Sequence, residues 1–165
     1  MRRCLVIIDM QNGMVNDKTR GLGAKIADYA LNHDFNDIVA TKYVNHENTA
    51  CYKFEGWKEC MENTWDVELL DELVHIPSRV FNKDKYSCWT EEFKEFVAEN
   101  QFDQLVFVGI NTGCCVLHSA FDAYNDLQDC CVIENLCGST SGESSHKAAI
   151  QILRECITTQ RVITV

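Results

Sequence analysis

The sequence predicts an α/β protein of three layers, with a six-stranded parallel sheet between two layers of helices. Three observations carry this expectation. Short β-branched runs alternate with amphipathic stretches along the chain, the pattern of βαβ crossovers. The first run, Cys4-Leu5-Val6-Ile7-Ile8-Asp9, is apolar until its terminal acid, as in a strand buried on both faces. The 165 residues contain no repeat, linker or biased segment and fit one domain spanning 1–165.

The elements follow in order. Residues 4–9 are the first strand. Ile26, Tyr29 and Ala30 sit at helical spacing within 24–33, and residues 37–44 read as a second strand. Residues 45–66 are irregular and aromatic-rich. A short helix is expected over 67–74, and Arg79-Val80-Phe81 as a third strand. Thr90-Glu91-Glu92 starts a helix with a capping hydroxyl and acids in the first turn. Gln104 to Ile110 is the clearest strand. Val116, Ala120, Ala123, Tyr124 and Leu127 mark the next helix, and Cys130 to Glu134 a fifth strand. A helix over 144–156 and a strand over 161–165 complete the pattern.

Composition narrows function. Apolar residues make up 46% and charged residues 24%, which is ordinary for a globular chain. The net charge of −10 argues against nucleic acid, whose phosphates call for clustered cations, and against an anionic membrane surface. No apolar run approaches the roughly 20 residues of a membrane span. The N-terminal apolar stretch is too short for a signal peptide and ends in an acid, so the expected location is the cytoplasm. The ten cysteines include no C-x-x-C pair and no zinc spacing, so they are expected to be reduced thiols.

In parallel sheets, ligands bind beyond the carboxyl ends of the strands, at the point where strand order reverses. Asp9, Lys83 and Cys115 each follow a strand there. An acid, an amine and a thiol converging on one edge form a set suited to nucleophilic catalysis. A helix start and a nearby ammonium would depress the Cys115 pKa.

The same residues carry a resemblance. Val6-Ile7-Ile8-Asp9-Met10-Gln11-Asn12, Phe81-Asn82-Lys83-Asp84-Lys85-Tyr86-Ser87 and Val108-Gly109-Ile110-Asn111-Thr112-Gly113-Cys114-Cys115-Val116 resemble three motifs of the isochorismatase-like cysteine hydrolases. They stand in that family's order and spacing. The resemblance implies a Rossmann-like sheet of order 3-2-1-4-5-6 and assembly as a homo-oligomer. It implies Cys115 rather than Cys114 as nucleophile, Asp9 as base and acid, and Lys83 as the group orienting the pair. It also implies a cis peptide before Asn111, with the backbone N–H groups of Asn111 and Cys115 facing a developing oxyanion. The cysteine itself favours hydrolysis of a small amide through a thioester over the vinyl-ether cleavage of isochorismatases.

Nicotinamidases of this family carry a metal-binding D-x-H segment after the second strand. Here Tyr43 and Asn45 stand at the acid and first histidine, and His46 is one residue out of register. No metal and no other cofactor are therefore expected. Gln11, Trp57, Trp65 and Tyr86 are the candidate pocket residues, with Trp89 nearby. For these aromatics, core or a subunit interface is the other placement. Two rival readings have weaker support. A flavin module would need a phosphate-cradling first loop, and Met10-Gln11-Asn12-Gly13-Met14 offers little of one. A thiol redox protein is suggested only by the adjacent pairs Cys114-Cys115 and Cys130-Cys131.

Overall fold

A computed structural model describes all 165 residues. Ten regular elements alternate along it. They are β1 (Arg3–Ile8), α1 (Leu22–Asn32), β2 (Asp37–Tyr43), β3 (Arg79–Lys83), α2 (Glu91–Asn100), β4 (Gln104–Ile110), α3 (Leu117–Asn125), β5 (Cys130–Gly138), α4 (Glu143–Cys156) and β6 (Val162–Ile163). The six strands form one parallel sheet of order β3-β2-β1-β4-β5-β6. No helix is long and apolar enough to cross a membrane.

The alternation along each strand divides the core. Cys4, Val6, Ile8 and Phe107 face α2, α3 and α4, where Phe93, Val116, Ala120 and Leu153 meet them. Leu5, Ile7, Val106 and Val108 face α1 and the segment near residue 70, through Ile26, Tyr29, Leu70 and Leu73. Cys4 to Ile8 are wholly buried, so β1 is a central strand covered on both sides. Thr90 caps α2 as its sequence suggests, its side chain accepting from the Phe93 N–H.

Two expected elements differ. Residues 67–74 form no helix. A single 3₁₀ turn at Trp65–Val67 is followed by backbone that pairs with the loop after β1 and then by isolated turns. The Asn12 N–H donates to Glu68 O at 2.9 Å and the Leu70 N–H to Met10 O at 2.9 Å. The last strand shrinks to Val162–Ile163, because beyond it the Asn135 side chain takes over the pairing: its amide donates to Val165 O and accepts from the Val165 N–H. In compensation β5 runs on to Gly138, with a register shift opposite Phe107 and Gly109.

Gly109 sits at that irregularity with φ of 116°, a conformation that L side chains rarely adopt. A Cβ there would lie 2.3 Å from Ile8 O, a backbone atom that cannot step aside. Gly109→Ala is expected to lower the unfolding free energy by at least about 3 kcal/mol, combining strain with a steric clash. Urea denaturation followed by circular dichroism measures this. A loss under about 1 kcal/mol would show that β1 and β4 tolerate a wider gap.

Candidate active site

The site grows from three adjacent strands. Asp9 follows β1, Thr41 lies in β2 and Lys83 ends β3. Lys83 Nζ donates to Asp9 Oδ2 at 2.6 Å, with both side chains out of solvent. Thr41 Oγ1 donates to the other carboxylate oxygen at 2.6 Å, and the Asp9 N–H donates back to Thr41 Oγ1 at 3.2 Å. Lys83 also donates to Lys85 O at 3.0 Å. Asp9 has a φ of 48°, a left-handed conformation that aspartate tolerates better than a branched residue. Every polar atom of this pair thus has a partner, the condition under which a buried ion pair is sustained.

Cys115 belongs to a π-helical turn, Thr112–Val116, that leads directly into α3. The turn is closed by the Cys114 and Val116 N–H groups donating to Asn111 O. Ser119 Oγ donates to Cys115 O at 2.6 Å and accepts from the Cys88 N–H at 2.9 Å, tying the turn to the segment after β3. The Ile110–Asn111 peptide is cis. Asn111 Oδ1 accepts from both the N–H and the hydroxyl of Thr140. The Asn111 N–H itself has no hydrogen-bond partner within the protein.

Burial pushes the Cys115 thiol well above its ordinary pKa. The Asp9 charge raises it further, and the Lys83 ammonium works against this. The expected depression of this pKa is therefore wrong in direction. The ammonium is already held by the carboxylate, and the thiol is 2% exposed. For Lys83, burial pulls the pKa down, but the neighbouring charges of Asp9 and Cys115 and the hydrogen bond to Asp9 outweigh it and leave it raised.

A cavity of about 390 Å³ opens at Cys115. Its walls include Met14, Tyr43, Glu55, Trp57, Tyr86 and Asn111. This is the end of the sheet where strand order reverses between β1 and β4.

A sequence profile of the isochorismatase domain matches residues 3–164. The chain belongs to the isochorismatase domain family. No curated protein matches it in sequence. Solved structures show the same fold. An isochorismatase-like hydrolase from Alkaliphilus metalliredigens superposes with TM-score 0.84 at 16% identity, covering 99% of this chain and 94% of that one. A pyrazinamidase/nicotinamidase from Streptococcus mutans UA159 gives 0.82 at 20%, covering 99% of each chain. An N-carbamoylsarcosine amidase from Thermoplasma acidophilum gives 0.80 at 16%, covering 99% and 95%.

Within this isochorismatase domain, Asp9, Lys83, Cys115 and Asn111 come together, and Trp57 and Tyr86 line the cavity. Gln11 and Trp65 do not. Gln11 is fully buried; its amide donates to Tyr43 O and Val67 O, and its oxygen accepts from the Tyr43 N–H, so it clasps the loop behind the cavity. Trp65 is 71% exposed, held on the outside by its 3₁₀ turn. Trp89 is drawn away by a hydrogen bond to Asp126 and packs on Phe93. Thr41 was not among the expected site residues, its only signal in the sequence being a lone hydroxyl in a buried strand. Nor were Cys51 and Glu55, which reach the cavity only through a tight turn that leaves no pattern.

At the positions aligned with the metal segment, Asn45 is buried and donates to Trp57 O and Glu59 O, while His46 pairs with Asp84 on the surface. No group of three or more His, Cys, Asp or Glu side chains is gathered to hold a metal ion.

Two outcomes are expected. Lys83→Met leaves the Asp9 carboxylate buried without its partner and should cost about 3–5 kcal/mol in urea unfolding. An unchanged midpoint would mean that water reaches Asp9. Alkylation by iodoacetamide should modify the exposed Cys156 before Cys115 at pH 7. Labelling of Cys115 should then climb as the pH passes 9, because only the thiolate reacts. Peptide mapping that finds Cys115 modified first at pH 7 would reverse the direction given above.

Proposed function

We propose that this chain is a hydrolase of small amides that uses Cys115 as its nucleophile. One observation carries the reading: a fully partnered Asp9–Lys83 pair lies against a buried thiol at a cavity sized for a small molecule. Membership of the isochorismatase domain family supports hydrolase chemistry. The names of two structures with this fold, a pyrazinamidase/nicotinamidase and an N-carbamoylsarcosine amidase, support a carbon–nitrogen bond as the target.

The thiol is stored protonated. As Cys115 Sγ attacks the amide carbonyl, its proton passes to the Asp9 carboxylate, and Lys83 holds that carboxylate in its accepting geometry. The carbonyl oxygen takes up negative charge facing the free Asn111 N–H and the Cys115 N–H. The carbon–nitrogen bond then breaks, and the proton on Asp9 goes to the departing nitrogen, which leaves as ammonia or an amine. A water molecule gives its proton to Asp9 and attacks the thioester, releasing a carboxylic acid and restoring the thiol. Each proton that Asp9 accepts is returned in the same cycle.

Cys114 is half-buried and lies outside this set. A panel of small amides, nicotinamide included, assayed for ammonia or the freed amine is expected to yield at least one substrate. On it, Cys115→Ala should lose at least about a thousandfold in rate, while Cys114→Ala keeps most of it. Dialysis against a chelator should leave turnover intact. Normal turnover by Cys115→Ala would overturn the nucleophile, and loss on chelation with recovery on added zinc would overturn the metal-free mechanism.

A further inference from the structure

The cavity at Cys115 carries a charge that the hydrolysis above does not use. Of its 13 lining residues, Glu55 alone has a charged side chain. Glu55 is exposed at the cavity mouth and forms no ion pair. The Asp9–Lys83 pair beneath is neutral as a unit, so the Glu55 carboxylate is left uncompensated in the lining. The three largest side chains of the lining are aromatic: Tyr43, Trp57 and Tyr86. Tyr43 and Trp57 sit 5.9 Å apart with rings inclined at 50°, forming a corner instead of a flat stack.

This arrangement is built by a turn. Cys51–Glu55 make a single π-helical turn that ends at Gly56, whose φ is 67°. The chain reverses there, and the Trp57 N–H donates back to Cys51 O at 3.1 Å. Glu55 and Trp57 therefore flank one glycine and both face the same cavity. The buried Asn45 fixes the far side by donating to Trp57 O at 2.9 Å. The Glu55 charge is felt across the space: after burial and Cys51, it helps push the Tyr86 hydroxyl up to about 12, and it contributes to the raised Cys114 thiol.

Aromatic faces joined to an unpaired carboxylate attract a cation. The ring quadrupoles and the carboxylate act in the same direction, and a bulky ammonium loses little hydration on entering. An anionic substrate finds no free cation among the lining residues and is repelled by Glu55 and by the overall charge of −10. We propose that the preferred substrate is an amide bearing an ammonium or quaternary ammonium group a few bonds from the carbonyl, with Glu55, Trp57 and Tyr86 binding the cation. This rests on the amidase reading and narrows it.

Two amides of nearly identical shape test it: 2-(trimethylammonio)acetamide and its neutral isostere 3,3-dimethylbutanamide, with succinamate as the anionic member. The cationic amide is expected to exceed the isostere by about tenfold or more in kcat/KM, a difference of about 1.4 kcal/mol. Succinamate should be the poorest. Glu55→Gln and Trp57→Leu should each bring the cation-to-neutral ratio towards one, Glu55→Asp should retain part of it, and added salt should shrink it. A ratio of one or less in the wild-type protein overturns the cation preference and leaves the amidase reading standing. If none of the three is hydrolysed, calorimetric titration of the Cys115→Ala protein decides separately. Tighter binding of the cationic amide than of its isostere, weakened by Glu55→Gln, supports the cation site, and equal or absent binding of the two overturns it.

Discussion

The buried contact between Lys83 and Asp9 constrains everything around it. Taking a carboxylate and an ammonium out of water costs several kcal/mol per ion, so the pair persists only with close geometry and full hydrogen bonding. That requirement reaches into the sheet. Asp9 follows β1 and Lys83 ends β3, two places away, and Thr41 on the strand between them supplies the missing donor. An order other than β3-β2-β1 would leave one ion unpaired in the core. The fold and the chemistry thus share one demand.

Burial is the first reason the thiol is kept neutral, and the same pair does little to offset it. An ammonium already committed to a carboxylate has little attraction left for a second anion, and burial penalises any charge on sulfur. Such a thiol is protected from electrophiles and oxidants that attack thiolates. In the proposed mechanism, proton transfer to Asp9 is part of the attack itself.

Much of this was legible in the sequence. The strand Gln104–Ile110 ends where its apolar run does, and the Thr90 cap lies where hydroxyl and acids mark it. Asp9, Lys83 and Cys115 were legible because each lies at the carboxyl end of a strand or at the start of a helix, positions fixed by local pattern. What failed depended on partners distant in sequence. A short helix was expected over 67–74, but Glu68 O and the Leu70 N–H are taken by the loop after β1 and only isolated turns form beyond. Gln11 looks like a polar residue at a site, yet three backbone groups absorb its amide. Trp65 and Trp57 are alike in sequence, and only the turns around Gly56 and Thr64 send one inward and the other out.

The modest final strand bears on how copies of this chain can meet. A long, flat outer strand exposes a row of unused N–H and C=O groups and invites another strand to dock. Here β6 offers only two residues, and the amide of Asn135 occupies the backbone just beyond. At the opposite margin β3 is five residues long and opens with Arg79, whose guanidinium pairs with Glu92 and lies over Phe81. Neither margin is a ready template for sheet extension. Association between copies would then join helical layers or loops, leaving the sheet at six strands in each copy, and the chain is spared one of the common routes to fibrous aggregates.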